Sequence, residues 1–255
     1  MDIYGMTLEA ALQDFSEFWE KYFPEQRRLT RAGALAEIDE PRRGQANTAA
    51  SDAEMVGYQN DVARVYGAYE LACFQQATAK VILPLAKRIP AKARVVSLGS
   101  GPASYELWLA SKTNFWFTLV DHSPGMLARA REIATAVGIS ERISFIQSDA
   151  ASVPGIVSES ADWLLCLNSM HWSRNWRQWI AEAARIVKPK AYALFTYTFF
   201  LRRSRITPEE LAQAMSPYFT HQGADQLVPP VDVGGGMVMK SGRFWALGQR
   251  RKSQV

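Results

Sequence analysis

Residues 94–121 read RVVSLGSGPASYELWLASKTNFWFTLVD. A short apolar run, Val95 to Leu98, ends in Gly99-Ser100-Gly101. A helix-like segment follows, then a second apolar run that closes on one acid, Asp121. A strand, a glycine turn, a helix and a strand tipped with a carboxylate make a nucleoside-binding half-site. Glycine has no Cβ, so Gly99 and Gly101 let the backbone approach a ligand closely. Asp121 stands where a carboxylate accepts hydrogen bonds from two ribose hydroxyls. Its other reading is a capping aspartate ahead of Ser123.

The turn separates two classes of ligand. A dinucleotide fingerprint, G-x-G-x-x-G/A, asks for a small sixth residue so that helix and strand pack closely. Ser104 occupies that position and Pro102-Ala103 open the helix, which weakens the pyrophosphate reading. S-adenosylmethionine has no pyrophosphate and needs only the tight turn and the ribose acid.

The rest of the chain sets bounds. Its 255 residues suffice for one substantial core with an appended cap. Hydrophobic content of 48% and charged content of 21% are those of an ordinary globular protein. A net charge of +4 permits an anionic partner without implying nucleic acid. Basic clusters such as Arg202-Arg203 and Arg250-Arg251-Lys252 are short and read as solvated faces. Cys73 and Cys166 sit in separate apolar runs and read as buried thiols, not a disulfide or a metal pair. The three histidines have no metal-ligand spacing, so no metal is expected. MDIYGMTLEA lacks the basic-then-apolar order of a signal peptide, and the most apolar run, Ala191 to Leu201, is too short to span a bilayer. A cytoplasmic location is expected by default.

Leu8 to Tyr22 carries apolar residues at helical spacing. Residues 37–52 are polar and rich in small residues and read as a linker or loop, while 53–89 again have a helical pattern ending near Pro90. Residues 1–90 are therefore expected to form a helical cap or lid, and residues 91–255 an α/β domain. Strands are expected near 94–98, 115–120, 142–147, 162–167 and 191–198. Helices fall between them, so the sheet is parallel with right-handed crossovers. Ser123-Pro124 is a helix start. Trp176, Trp179, Ile180, Ala183, Ile186 and Val187 form one apolar stripe expected in the core. The tail, with Pro229-Pro230, Gly234-Gly235-Gly236 and Met237 to Arg250, reads as a hairpin closing the sheet.

Four segments follow the first in register: DHSPGMLARAREIA from Asp121, ISFIQSDAASVP, ADWLLCLNSMHW, and WIAEAARIVKPKAYALFTYTFF. Their order resembles the class I S-adenosylmethionine-dependent methyltransferase family of small-molecule type, over about Tyr58 to Phe200. The resemblance implies a Rossmann-like seven-stranded sheet with helices on both faces and an antiparallel last strand. It implies methyl transfer to a small-molecule acceptor, with S-adenosyl-L-methionine as cofactor. The chain departs from the family pattern at Ser97, where an acid is usual, and at Ala103 and Lys190-Ala191, where glycines are usual.

On that resemblance Gly99, Ser100 and Gly101 face the methionyl part of the cofactor and Asp121 takes the ribose. His122 is a wall residue and Met126 packs on adenine or in the core. Asp149 and Ala150 meet the adenine edge. Asn168 holds the cofactor's amino group or a loop. Tyr66 matches a tyrosine that covers the cofactor. Tyr69 and Trp172 are candidates for the acceptor pocket. His171 is the candidate general base, or a satisfied structural histidine. Three other classes stay open: a nucleic-acid methyltransferase, an NAD-dependent oxidoreductase, and a non-catalytic nucleoside-binding or scaffold protein of the same fold. Acceptor atom and oligomeric state are not readable here, and no nucleic-acid partner or membrane span is expected.

Overall fold

Uninterrupted apolar runs suit strands that are covered on both faces, which is the condition of a parallel sheet between helical layers. The computed structural model describes residues 3–22, 54, 56–60, 63, 78, 81–198, 206–228, 231–232, 238–239 and 243–252. A single turn at Ile3–Gly5 precedes α1 (Leu8–Tyr22), and the sheet opens with β1 (Arg94–Leu98). Then come α2 (Ser104–Lys112), β2 (Trp116–Asp121), α3 (Pro124–Val137) and β3 (Ile143–Gln147). They lead to β4 (Ala161–Leu167), α4 (Trp176–Ile186) and β5 (Val187–Thr198). The chain continues through α5 (Pro208–Met215), β6 (Phe219–Val228), the short β7 (Val231–Asp232) and β8 (Val238–Met239), and β9 (Arg243–Arg250).

Seven strands form one sheet in the order β3-β2-β1-β4-β5-β9-β6. The first five run parallel, and β9 lies antiparallel between β5 and β6. With helices on both faces this is the Rossmann-like, seven-stranded α/β fold expected from the sequence, its last strand antiparallel. The expected parallel strands are present, with β5 starting earlier, at Val187, where it pairs with Ala161 ahead of a bulge.

The tail differs in detail from a simple closing hairpin. β7 and β8 pair as a separate two-stranded ladder, while β9 inserts into the main sheet. Helix α5 carries its own start signal: Thr207 and Glu210 form a reciprocal capping box, with Pro208 in the first turn.

Side chains alternate between two core layers, as the pleat requires. Val95, Leu119, Trp163 and Leu165 pack with α1, α2 and α3. Val96, Leu98, Val120, Leu164 and Cys166 pack with α4 and α5. The stripe on α4 is buried as expected, from Trp176 to Ile186. α1 is fastened to α2: Phe15 stacks on Tyr105 with centroids 5.0 Å apart, and Asp14 accepts from Trp108 Nε1 at 2.7 Å and Lys112 Nζ at 2.6 Å. Residues 54, 56–60, 63, 78 and 81–86 are helical. The expected linker at 37–52, Cys73, and Tyr66 and Tyr69 lie outside the described residues. Among the described residues no helix is long and apolar enough to cross a membrane.

Candidate functional site

The strand order turns back between β1 and β4, so the loops leaving their carboxyl ends diverge and open a crevice. The cleft there has two adjoining lobes, both open to solvent. Gln59, Gly99, Asp121, Ser169 and Trp172 border both lobes. His122, Asp149 and Ala150 line the first lobe. Ser100, Gly101, Met126 and Asn168 line the second.

The turn after β1 has left-handed backbone at alternate residues: φ is +64° at Gly99, +55° at Gly101 and +57° at Ala103. A Cβ on Gly99 would lie 2.5 Å from Ser169 Cβ and 3.0 Å from the Trp179 ring, so only glycine fits between the two walls. A Cβ on Gly101 would meet nothing within 4 Å, which leaves that backbone facing open space. Ala103 keeps the left-handed conformation that a glycine adopts more cheaply.

Asp121 ties this turn to β2. One carboxylate oxygen accepts from the Gly101 N–H at 2.8 Å and the other from the Ser123 N–H at 2.9 Å. Burial raises its carboxyl above the ordinary aspartate value, against the lowering pull of those N–H groups. The helix cap is Ser123 itself, whose hydroxyl accepts from the Met126 N–H at 3.1 Å.

A segment that sequence reading did not single out closes this side. Asn60 Oδ1 accepts from the Ser123 hydroxyl at 2.7 Å and from the Gly125 N–H at 2.9 Å. Gln59 Oε1 pairs with His122 Nε2. Residues 56–60 are thereby docked on the start of α3, beside Asp121. Gly125 permits the approach, since a Cβ there would sit 2.9 Å from Asn60 Oδ1.

The opposite wall follows β4. Asn168 is buried with φ +54°, and its N–H donates to the Thr196 carbonyl at 2.9 Å and the Thr196 hydroxyl at 3.0 Å. The Thr196 hydroxyl donates to Asn168 Oδ1 at 3.0 Å. Asn168 therefore holds the strand end while also lining the second lobe. The Ser169 hydroxyl donates to the Leu98 carbonyl at 3.1 Å, joining the two walls at the cleft floor. Below it the buried Cys166 thiol is pushed up to about 12 by burial, which leaves it a neutral packing group. Trp172 borders both lobes, whereas His171 is buried against it, ring centroids 5.3 Å apart, and is not among the residues lining either lobe. Both residues lie on the single helical turn Met170–Trp172. Trp179, expected in the core, is buried and also walls the first lobe.

The end of β3 supplies the last side. The Asp149 carboxylate is exposed and accepts from the Ala151 N–H at 2.9 Å, forming a tight turn, and Ala150 is buried beneath it. The loop beyond is stapled to α4. Arg185 donates to the Ile156 and Val153 carbonyls at 2.8 and 3.1 Å, and Glu182 accepts from the Val153 N–H at 2.7 Å. Hydrogen bonds from Arg185 hold the Glu182 carboxyl below the usual range.

Sequence reading missed Gln59, Asn60, Ser169 and Glu106. Glu106 left one signal: a lone acid inside the apolar stretch ASYELWLA. It is buried in the first turn of α2, lines the second lobe, and accepts from the Ser97 hydroxyl at 2.7 Å. An open glycine backbone, a carboxylate at the β2 end and a turn with free edges at the β3 end suit a nucleoside. Two carboxylates in the second lobe suit a cationic tail on it.

Residues 95–190 match the sequence family described as a methyltransferase domain. No curated protein sequence matches the chain significantly. Among solved structures, the geranyl diphosphate C-methyltransferase of Streptomyces coelicolor A3(2), with Mg²⁺, geranyl diphosphate and S-adenosyl-L-homocysteine, is 11% identical with TM-score 0.59. The similarity covers 76% of this chain and 84% of that one. A Haloferax volcanii protein in complex with the Trm112 methyltransferase activator is 16% identical with TM-score 0.60, over 76% of this chain and 98% of the other. The cyclase SpnF is 15% identical with TM-score 0.60, over 69% of this chain and 83% of that one. The methyltransferase-domain match thus covers residues 95–190, and the chain shares the seven-stranded fold of these solved structures.

Proposed function

We propose that the protein transfers a methyl group from S-adenosyl-L-methionine to a small-molecule acceptor. The observation that carries the proposal is Asp121. It closes the Gly99–Gly101 turn at the topological switch point and faces both lobes of the cleft. A cyclase of the same fold is a reminder that the fold alone does not set the reaction.

On this reading Asp121 takes the ribose diol, and Gly99 to Gly101 let the sugar and the tail lie against backbone. The Asp149–Ala150 turn meets the base edge, with His122 and Trp179 as its walls. Met126 packs beside Asp121 in the second lobe. Residues 56–60, anchored by Asn60, act as part of a lid, and the expected contacts at Tyr66 and Tyr69 would extend it. When bound, the cofactor supplies an electrophilic methyl on a sulfonium. The chain contributes orientation and exclusion of water. Trp172 borders the open side and is proposed to meet the acceptor. His171 holds the Trp172 ring in place; an amine acceptor that arrives neutral needs no base from it.

The test is calorimetric titration of the full chain with S-adenosylhomocysteine and, separately, with NADH. Binding of the first with silence from the second is the expected result. Binding of NADH alone would replace this reading with an oxidoreductase, and silence from both, in folded protein, would leave a scaffold.

A further inference from the structure

The second lobe contains a buried charge that the ribose and base contacts do not use. Glu106 is 2% exposed and Ser97, whose hydroxyl donates to it, is 0% exposed. Glu106 is among the residues lining the lobe bordered by Gly99, Gly101 and Asn168, and is not among those lining the lobe of the Asp149 turn. Asp121 borders both lobes and divides them. A nucleoside whose base lies at Asp149 and whose ribose lies at Asp121 therefore sends its tail toward Glu106.

Charge points the same way. Among the described residues lining the second lobe there are two carboxylates and no lysine or arginine. Such a wall favours a cation, and a cation taken from water into a partly buried site needs a carboxylate in direct contact. The oxygens of Asp121 already serve the N–H groups of Gly101 and Ser123 and, on the reading above, the diol. Ser97 orients its partner but is neutral. Glu106 sits in the first turn of α2.

Resting on the methyltransferase reading, we propose that Glu106, oriented by Ser97, binds the amino-acid ammonium of S-adenosylmethionine. A carboxylate delivered from α2 thus supplies what the small, neutral side chain on β1 cannot. Its role is binding and selection of the tail, with no bond made or broken.

The test is Glu106→Gln, which keeps size and hydrogen-bonding capacity and removes the charge. The full chain is titrated with S-adenosylhomocysteine and with methylthioadenosine, the same nucleoside thioether without the amino-acid tail. Glu106→Gln is expected to weaken S-adenosylhomocysteine at least about tenfold while methylthioadenosine changes less than about twofold. Retained methylthioadenosine binding also reports a folded site. Equal loss of both ligands, or no loss of either, overturns the role of Glu106 and leaves the methyltransferase reading standing. Failure of the wild type to bind S-adenosylhomocysteine removes that reading, and this inference with it. Should Glu106→Gln not fold, Ser97→Ala reads the same contrast at a smaller scale, about threefold; unaltered discrimination there overturns the proposal.

Discussion

The two loops that face each other across the cleft are built in different ways. The turn after β1 is built on backbone: three left-handed residues, closed by the Gly101 N–H donating to the Asp121 carboxylate. The loop after β4 has one left-handed residue, Asn168, and is held by a side-chain exchange with Thr196 on β5. A backbone wall leaves room for a ligand to lie flat against it. A side-chain wall fixes the width of the cleft and presents Trp172 to whatever enters. The first suits recognition of an invariant ligand, the second a variable one.

The two walls touch at Gly99, so the largest expected effect lies there. Gly99→Ala drives a methyl into Ser169 and the Trp179 ring and strains the left-handed backbone. Denaturant unfolding is expected to show a loss of about 3 kcal/mol, with ligand binding abolished. A loss under about 0.5 kcal/mol would mean that the walls do not meet as described.

Next is the staple behind the Asp149 turn. Arg185→Ala removes charge-assisted bonds to two carbonyls and to Glu182, and is expected to cost about 2 kcal/mol at neutral pH. The folded Glu182 carboxyl is depressed, chiefly by Arg185. Its contribution is therefore complete above the ordinary glutamate value of about 4.3 and is lost as pH falls through the folded value. The gap between wild type and Arg185→Ala in a pH series of melting curves is expected to narrow on acidification. A gap constant with pH would remove Glu182 from the staple.

Thr196→Val tests the side-chain wall alone. It deletes the hydroxyl that bonds Asn168 at both backbone and side chain, and is expected to cost about 1.5 kcal/mol. Methylthioadenosine binding is expected to survive, because the backbone wall is untouched. The smallest effect is a near-cancellation. Ala103→Gly relieves left-handed strain but costs chain entropy and a buried methyl, and the net change is expected to lie within about 0.5 kcal/mol of zero. A destabilisation above about 1.5 kcal/mol would show that Ala103 is unstrained.

The same contrast explains what was legible in the sequence. The backbone wall was readable because glycines and an acid at strand ends are local signals, and the strands announced themselves as apolar runs. The departures at Ala103 and Lys190 hid less than they suggested. Both residues take the left-handed backbone, with φ +57° and +69°, so the turns survive without their glycines. The side-chain wall was opaque. Nothing in a linear pattern pairs Asn168 with Thr196, brings Asn60 to Ser123, or buries His171 while Trp172 lines both lobes. The acid usual on β1 is replaced by Ser97, and the nearest counterpart in the structure is Glu106 of α2, which accepts from the Ser97 hydroxyl. Sequence motifs mark positions along the chain, and a helix following a turn can deliver the same group from elsewhere.

The most direct measurement is a crystal structure of the full chain with S-adenosylhomocysteine bound. The expected result places both ribose hydroxyls within hydrogen-bond distance of the Asp121 carboxylate, about 2.5–3.0 Å, with the base at the Asp149–Ala150 turn. A nucleoside bound elsewhere, or one whose ribose leaves Asp121 bonded only to Gly101 and Ser123, would contradict the assignment of this cleft.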